Sequence, residues 1–445
     1  MMTKRASLHT LGCRVNQAET AILGEGLRRK GYRLVEFGEP TDLLVLNTCA
    51  VTEDAERTSR YLIRKTLKHS PHAFIAVTGC YAQTGIDELK LHPGVDLIVG
   101  HRYKLDLPGY VPASQDLRKY DAPEVHHSKT VARDDFALPY YGESAATRAP
   151  LKIQDGCGDM CSFCIIPFSR GHARSRVFDD VIAEAESLAA QGHREVVLTG
   201  VNIGRYEQGG KDFCAVLDRL ELVPGINRIR ISSIEPTTVS DALLDRMAGS
   251  RAICPYLHIP LQSGDDRVLA DMNRHYAVGD YIALIERALR RIPHVGLGTD
   301  VMVGFPGETD DCFENTVRVA AELPFSYLHV FSYSARPGTA ATKRPHPVAP
   351  ATIAHRSAML QRLSRAKRLQ FHQRHIGRTL PVLFEAGETD EACYGTTDTF
   401  MKVAVPPAAG LRNQILPVTI TAATDRCAMG TIEPVHARSP QTVLL

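Results

Sequence analysis

The stretch Leu151-Lys-Ile-Gln-Asp-Gly-Cys-Gly-Asp-Met-Cys-Ser-Phe-Cys-Ile-Ile-Pro167 decides how the rest of this chain is read. Within it Cys157, Cys161 and Cys164 are spaced C-x3-C-x2-C, after an expected strand at 150–154 and a turn at Asp155-Gly156. Thiolates this close face one point only by wrapping around something. A cubane iron–sulfur cluster fits, because such clusters are held by closely spaced cysteine thiolates. A [4Fe–4S] cubane has one iron more than this run has thiolates, and an open position on a metal centre marks a reactive site rather than a structural one. The alternative is a zinc site or a set of inert thiols. Zinc sites usually bring C-x2-C pairs with a fourth Cys or His in register. His172 lies near, but the spacing here is unusual for zinc.

Upstream, residues 1–105 alternate strands and helices. Strands are expected at 7–11, 42–47, 74–78 and 95–99, and helices at 20–30 and about 54–69. Short apolar runs alternating with helical patterns imply a parallel α/β sheet. Cys13, Cys49 and Cys80 each fall just after a strand and just before a helix. The carboxyl ends of parallel strands share one edge, where ligands bind. These distant cysteines are therefore expected to converge and hold a second metal cluster. The plain alternative is small buried residues at strand ends. Residues 106–148 lose periodicity and are expected to form a linker with little structure, with His126 and His127 solvated.

Downstream, six strands are expected at 150–154, 195–199, 228–232, 256–261, 299–303 and 328–333, with helices such as 177–191 and 278–291 between them. Such units suggest an incomplete version of the eight-fold barrel, in which active residues lie on loops after the strands. Those loops are polar here and carry Thr199, Asn202, Glu235 and Gln262. Polar groups so placed grip a cofactor through fixed hydrogen bonds, although most of the loop serines have the simpler role of capping a helix or closing a turn.

From Leu323 to Phe384 there is no Asp or Glu, while Arg and Lys recur. Within this stretch 354–375 reads as one amphipathic helix with Met359, Leu360, Leu363 and Leu369 as packing residues. A basic helix is usually a solvated face, but a long segment without acids favours a phosphate-backbone contact. The tail carries short strands at 379–385, 400–405, 415–422 and 429–432 between Gly and Pro turns. It reads as a small β-barrel, of a kind that often binds RNA, or else as a plain stabilising domain. Cys214, Cys254, Cys312, Cys393 and Cys427 are isolated and read as ordinary cysteines.

The composition agrees with these readings. A chain of 445 residues with 44% hydrophobic and 23% charged residues has room for two to four domains. No apolar run reaches membrane-spanning length, and the first residues lead straight into a strand, so neither a membrane span nor an export signal is expected. The eleven cysteines then belong to a reducing compartment, the cytoplasm, as metal ligands or buried residues. The fold class is thus α/β. It comprises a parallel α/β cluster domain at 1–105, a linker at 106–148, a partial (β/α)6 barrel at 149–376 and a small β-barrel at 377–445.

The run from Cys157 to Cys164, with the aromatic Phe163 before its last cysteine, resembles the signature of the radical S-adenosylmethionine (SAM) enzymes. The whole chain resembles the methylthiotransferase branch of that family. The resemblance is carried by Leu11-Gly-Cys-Arg-Val-Asn-Gln-Ala-Glu19, Asn47-Thr-Cys-Ala-Val-Thr52 and Thr78-Gly-Cys-Tyr-Ala-Gln83 in the first domain. In the barrel it is carried by His258-Ile-Pro-Leu-Gln-Ser-Gly264, Val303-Gly-Phe-Pro-Gly-Glu-Thr309 and Tyr333-Ser-Ala-Arg-Pro-Gly-Thr339. The tail looks like a TRAM domain. The resemblance implies two [4Fe–4S] clusters. One, on Cys157, Cys161 and Cys164, would bind SAM and cleave it to a 5′-deoxyadenosyl radical. The other, on Cys13, Cys49 and Cys80, would carry or supply sulfur that a second SAM methylates. Phe163, Thr199, Asn202, Glu235 and Gln262 are the expected cofactor-side residues. The implied partners are tRNA, met at its anticodon stem-loop, an electron donor such as flavodoxin or ferredoxin, and a sulfur donor. The Gly-Cys-Arg-Val-Asn segment looks most like the branch acting at C2 of N6-threonylcarbamoyladenosine beside the anticodon. The other branches modify isopentenyladenosine in tRNA or an aspartate of a ribosomal protein. An RNA-binding iron–sulfur sensor is the alternative that is not an enzyme.

Overall fold

The computed structural model describes residues 3–129, 131, 146–385 and 391–433. Its first part is a parallel sheet whose strands lie in the order Arg33–Val35, Arg5–Thr10, Leu43–Thr48, Phe74–Gly79, Leu97–Val99 and Glu124–His126. The two central strands are buried at every residue, as strands covered on both faces must be. Side chains alternate between faces, so Leu44, Leu46, Ile75 and Val77 join one apolar cluster while Leu43, Val45, Phe74 and Ala76 join the other.

The sixth strand was not expected. Glu124–His126 lies in the stretch 106–148 read as a linker, and it pairs with Leu97–Val99. A strand of three residues in polar surroundings leaves no periodic trace. His126 and His127 are not free in solvent either. His126 stacks on Tyr110 with ring centroids 3.7 Å apart, and His127 Nε2 lies 3.1 Å from Gln83 Nε2. Before that strand Leu107–Tyr110 is helical and Lys119 pairs with Asp96 at 2.6 Å, and of the stretch only 130 and 132–145 lie outside the described residues.

The middle part is an open arc of parallel strands. Arg148–Lys152, Glu195–Thr199 and Arg228–Ile231 form one sheet, and Tyr256–His258, Gly296–Val303 and Tyr327–Ser332 form another. Single bridges, Ile229 to Ile253 and Ser233 to His258, join the two. Helices cover the outside. Val278–Arg291, for example, buries Tyr281, Leu284, Ile285 and Ala288, one stripe at helical spacing. The first domain stands across the open side of the arc. Glu19 meets Lys152 on the first strand, while Glu56 meets Arg336, just past the last.

The tail is a closed barrel in the order Thr379–Phe384, Cys393–Thr397, Lys402–Val405, Ala428–Ile432, Ile415–Ala423. Cys393–Thr397 was not anticipated, because its central glycine reads as a turn. In the structure a Cβ on Gly395 would sit 2.5 Å from Val382 Cγ1 and 2.7 Å from Leu383 O, so the glycine lets the strands close up. This barrel docks under the amino ends of the arc's strands. Arg228 donates to Thr396 O and Pro381 O, Arg230 donates to Thr397 O and Asp398 O, and Phe400 packs 4.7 Å from Tyr256. No helix of the described residues is long and apolar enough to cross a membrane.

Candidate active site: two cysteine triads and a buried ionic bridge

The first triad forms as the strand order requires. Cys13 follows the strand Arg5–Thr10 and precedes the helix Arg14–Arg29, Cys49 follows Leu43–Thr48, and Cys80 opens the helix Cys80–Thr84. These strands are neighbours, so their carboxyl ends bring the thiols to one edge. The approach is close: a Cβ on Gly12 (φ +91°) would lie 2.9 Å from Cys49 Sγ. Asn16 ties the loops together, donating to Leu11 O at 2.8 Å and Thr48 O at 3.0 Å. Burial pushes the Cys49 thiol up to about 12, and neighbouring Cys80 and Cys13 add to the rise.

The second triad is held by the loop that follows Gln154–Asp155. Gln154 works as a clamp: its side-chain amide donates to Asp155 O and Gly156 O, and its oxygen accepts from Val201 N and Asn202 N. It thereby fixes the cysteine loop against the next strand-end loop. Burial pushes Cys157 up to about 11 and Cys164 to about 12, with like-charge neighbours in the triad contributing. Thiols so placed keep their protons until a metal replaces them. Among the described residues no carboxylate or imidazole joins either triad, and a set of sulfur donors suits an iron–sulfur cluster.

Around the second triad the expected polar residues divide. Asn202 donates to Asp159 Oδ2 at 2.9 Å, and Asp159 lies between two of the cysteines. Glu235 pairs with Arg274, which also donates to Cys161 Sγ at 3.2 Å. Burial raises the Glu235 carboxyl, against the pull of Arg274. Gln262 adopts φ +63°, a left-handed conformation uncommon outside glycine, and its side-chain amide has no hydrogen-bond partner among the described residues. Thr199 is engaged by its own strand, donating to Val197 O at 2.8 Å. Phe163 packs in an apolar cluster with Val268, Met272, Phe305, Cys312 and Ala341. Arg274 and Asp159 were not anticipated; neither falls in a periodic pattern, and only the fold brings them to the cysteines.

Between the triads lies a charged cluster sealed from solvent. Glu19 accepts from Lys104, from Lys152 at 2.6 Å and from Arg170 at 3.0 Å. Asp155 accepts from Lys152 at 2.8 Å, Arg170 at 2.8 Å and Arg174 at 3.2 Å, and its Oδ2 lies 3.1 Å from His101 Nε2. Burial opposes ionisation of Glu19, but Arg170, Lys104 and Lys152 outweigh it and hold the carboxyl well below its usual range. The same balance, led by Arg170 and Lys152, holds Asp155 low. His101 is pushed down to about 4 by burial, with Arg170 adding to the effect. Asn16 and Glu19 come from the first domain, and Lys152, Asp155 and Arg170 from the arc. The bridge therefore fixes one triad relative to the other.

The acid-free stretch is less free than its sequence suggests. Arg356 is buried on Glu308 and Asp310, Arg344 meets Asp271, and Lys367 donates to Ala321 O and Leu323 O at a helix end. Acids distant in sequence thus balance much of it. Arg362, Arg365, Arg374 and Arg378 remain exposed on or just beyond the helix Pro350–Gln373, with no ion pair among the described residues.

Residues 151–320 match the model of the radical SAM superfamily, and residues 5–100 match the uncharacterized protein family UPF0004. The chain is 35% identical over 421 residues to the threonylcarbamoyladenosine tRNA methylthiotransferase MtaB of Bacillus subtilis (strain 168), covering 93% of each. It is 34% identical over 443 residues to a tRNA-2-methylthio-N(6)-dimethylallyladenosine synthase of Cereibacter sphaeroides, covering 96% of this chain and 98% of that one. Among solved structures it shares a fold with the radical S-adenosylmethionine methyltransferase TsrM of Kitasatospora setae. The TM-score is 0.54 at 14% identity, over 74% of this chain and 73% of that one.

Proposed function

The chain belongs to the radical SAM tRNA methylthiotransferases, transferases that use SAM and [4Fe–4S] clusters, and we propose that it adds a methylthio group to C2 of N6-threonylcarbamoyladenosine beside the tRNA anticodon. The observation that carries methylthio transfer is the pair of cysteine triads, each at the carboxyl ends of parallel strands and locked together by the Glu19–Arg170–Asp155 bridge, and the choice of base rests on the 35% identity to the threonylcarbamoyladenosine enzyme. In this reading Cys157, Cys161 and Cys164 hold one cluster, and Cys13, Cys49 and Cys80 hold the other. Bound there, cluster and SAM supply reductive cleavage of a carbon–sulfur bond and the methyl group.

The chain's own residues do the rest. Gln154 keeps the cysteine loop and the loop of Asn202 in register. Glu235, Asn202 and Gln262 offer polar groups to SAM, while Arg274 places a cation on Cys161. The exposed arginines of the long helix and the TRAM-like barrel provide the surface for the anticodon stem-loop. The reaction further needs an electron donor, of the flavodoxin or ferredoxin class, and a sulfur donor, and we place it in the cytoplasm.

Identity to the dimethylallyladenosine enzyme supports a second reading, in which the base carries an isopentenyl group. Mass spectrometry of tRNA nucleosides from cells with and without the gene separates the two. The proposal expects methylthiolated threonylcarbamoyladenosine to disappear while its unmethylthiolated form accumulates. Loss of the methylthiolated isopentenyl nucleoside instead would transfer the assignment to the second reading.

A further inference from the structure

Arg14 directly follows Cys13 and opens the first helix. Its guanidinium has no ion pair or hydrogen bond among the described residues and lies over the ring of Phe400, 5.7 Å from the centroid. Arg148 and Arg230 lie over the same ring, each 5.3 Å from its centroid. Arg230 is neutralised by Glu195 through two hydrogen bonds, at 2.6 and 3.2 Å. Arg148 is not fully matched: Nη2 reaches Glu385 at 3.1 Å, but Nε and Nη1 are buried without a partner. Two guanidiniums thus stand against one aromatic wall with donors unused. Of the two, Glu385 serves Arg148 alone, and Arg14 has no acid among the described residues. Burying cations this way is costly unless an anion joins them.

Space for that anion is present. A cavity of about 500 Å³ is lined by Arg148 with its partner Glu385, by Tyr327 and His329, and by Phe400, the ring over which Arg14 lies. We infer that Arg14 and Arg148 receive a carboxylate on the N6 substituent of the substrate adenine and thereby select an acidic substituent over an apolar one. A guanidinium fork matches a carboxylate in plane and charge. C2 and N6 lie on the same edge of adenine. Holding the substituent beside Cys13, which is exposed, therefore presents C2 to the first triad. This inference rests on the reading of threonylcarbamoyladenosine as substrate, whose threonyl part supplies the carboxylate.

The test is binding of the cluster-loaded full chain to anticodon stem-loops at one fixed salt concentration. The loops carry N6-threonylcarbamoyladenosine, its methyl ester, isopentenyladenosine or plain adenosine. Wild type is expected to bind the acid about tenfold or more tighter than the ester, as a buried charge pairing requires. R14Q is expected to erase that difference, and R14K to restore part of it. If R14Q keeps the preference for the acid over the ester, the assignment to Arg14 is overturned while the substrate reading stands. If wild type binds acid and ester alike, the carboxylate pairing is overturned whatever the variants do. If wild type prefers the isopentenyl loop over all others, the substrate reading itself has failed, and this inference with it. Should R14Q lose iron or structure, R148Q and the ester comparison decide the matter.

Discussion

Replacing Glu19 by Gln tests whether the ionic bridge holds the two domains together. The Glu19 side chain is 1% exposed and is the shared acceptor for Lys104, Lys152 and Arg170. Glutamine keeps the shape but removes the charge and turns a donor towards three cations. Breaking a buried ion pair from one side costs about 3–5 kcal/mol, because the partner charges stay behind uncompensated. The assay is urea denaturation of the cluster-loaded chain without oxygen, followed by far-UV circular dichroism, with the midpoint compared at constant slope. E19Q/K104M removes one stranded cation and should recover about 1 kcal/mol or more, since residues in one network are coupled. E19Q lying within about 0.5 kcal/mol of wild type, the range of ordinary surface changes, would refute the reasoning. So would a double variant no more stable than the single.

Three further outcomes follow from the same geometry. His101 is held near pKa 4 in the fold against about 6.5 when unfolded, so the unfolded chain binds the extra proton. Its contribution is therefore complete above about pH 6.5 and is lost as pH falls towards 4; H101Q should flatten stability across that window, and an unchanged acid limb would count against it. R274Q should keep its iron but shift the cluster on Cys161 to a more negative reduction potential, since a cation bonded to a ligand sulfur favours the reduced state; a redox titration followed by EPR that shows no shift contradicts this. Replacing Arg362, Arg365, Arg374 and Arg378 by Gln should reduce the salt dependence of RNA binding by about one unit of slope for each phosphate no longer neutralised, with stability unchanged; an unaltered slope would remove the helix from the RNA surface.

Much of this molecule was legible because its signals are local. The strands before Cys13, Cys49 and Cys80 are apolar runs between helical patterns, and parallel topology alone then predicts that the three cysteines meet. The strands of the arc lie within a few residues of their expected places for the same reason. What escaped depends on neighbours brought together across space. Asn16 and Glu19 stand in a recognisable segment, yet their roles appear only when Lys104, Lys152 and Arg170 arrive from elsewhere. The basic stretch looked unbalanced because Glu308, Asp310 and Asp271 lie outside it in sequence. Gly395 reads as a turn until Val382 is seen against it. Phe163, half-buried, packs against Val268, Met272 and Phe305, and Thr199 bonds back to its own strand, contacts that no spacing encodes.

The central claim is that each triad holds its own cluster and that the two do different work. Iron and sulfide analysis, with product assays on the same samples, tests it in the wild type and two triple variants, C157A/C161A/C164A and C13A/C49A/C80A. The account predicts about eight irons per chain in wild type and about four in each variant, as two [4Fe–4S] clusters require. It predicts 5′-deoxyadenosine formation only where Cys157, Cys161 and Cys164 remain, and methylthiolated RNA only in wild type. Four irons in wild type, or SAM cleavage surviving without Cys157, Cys161 and Cys164, would contradict it.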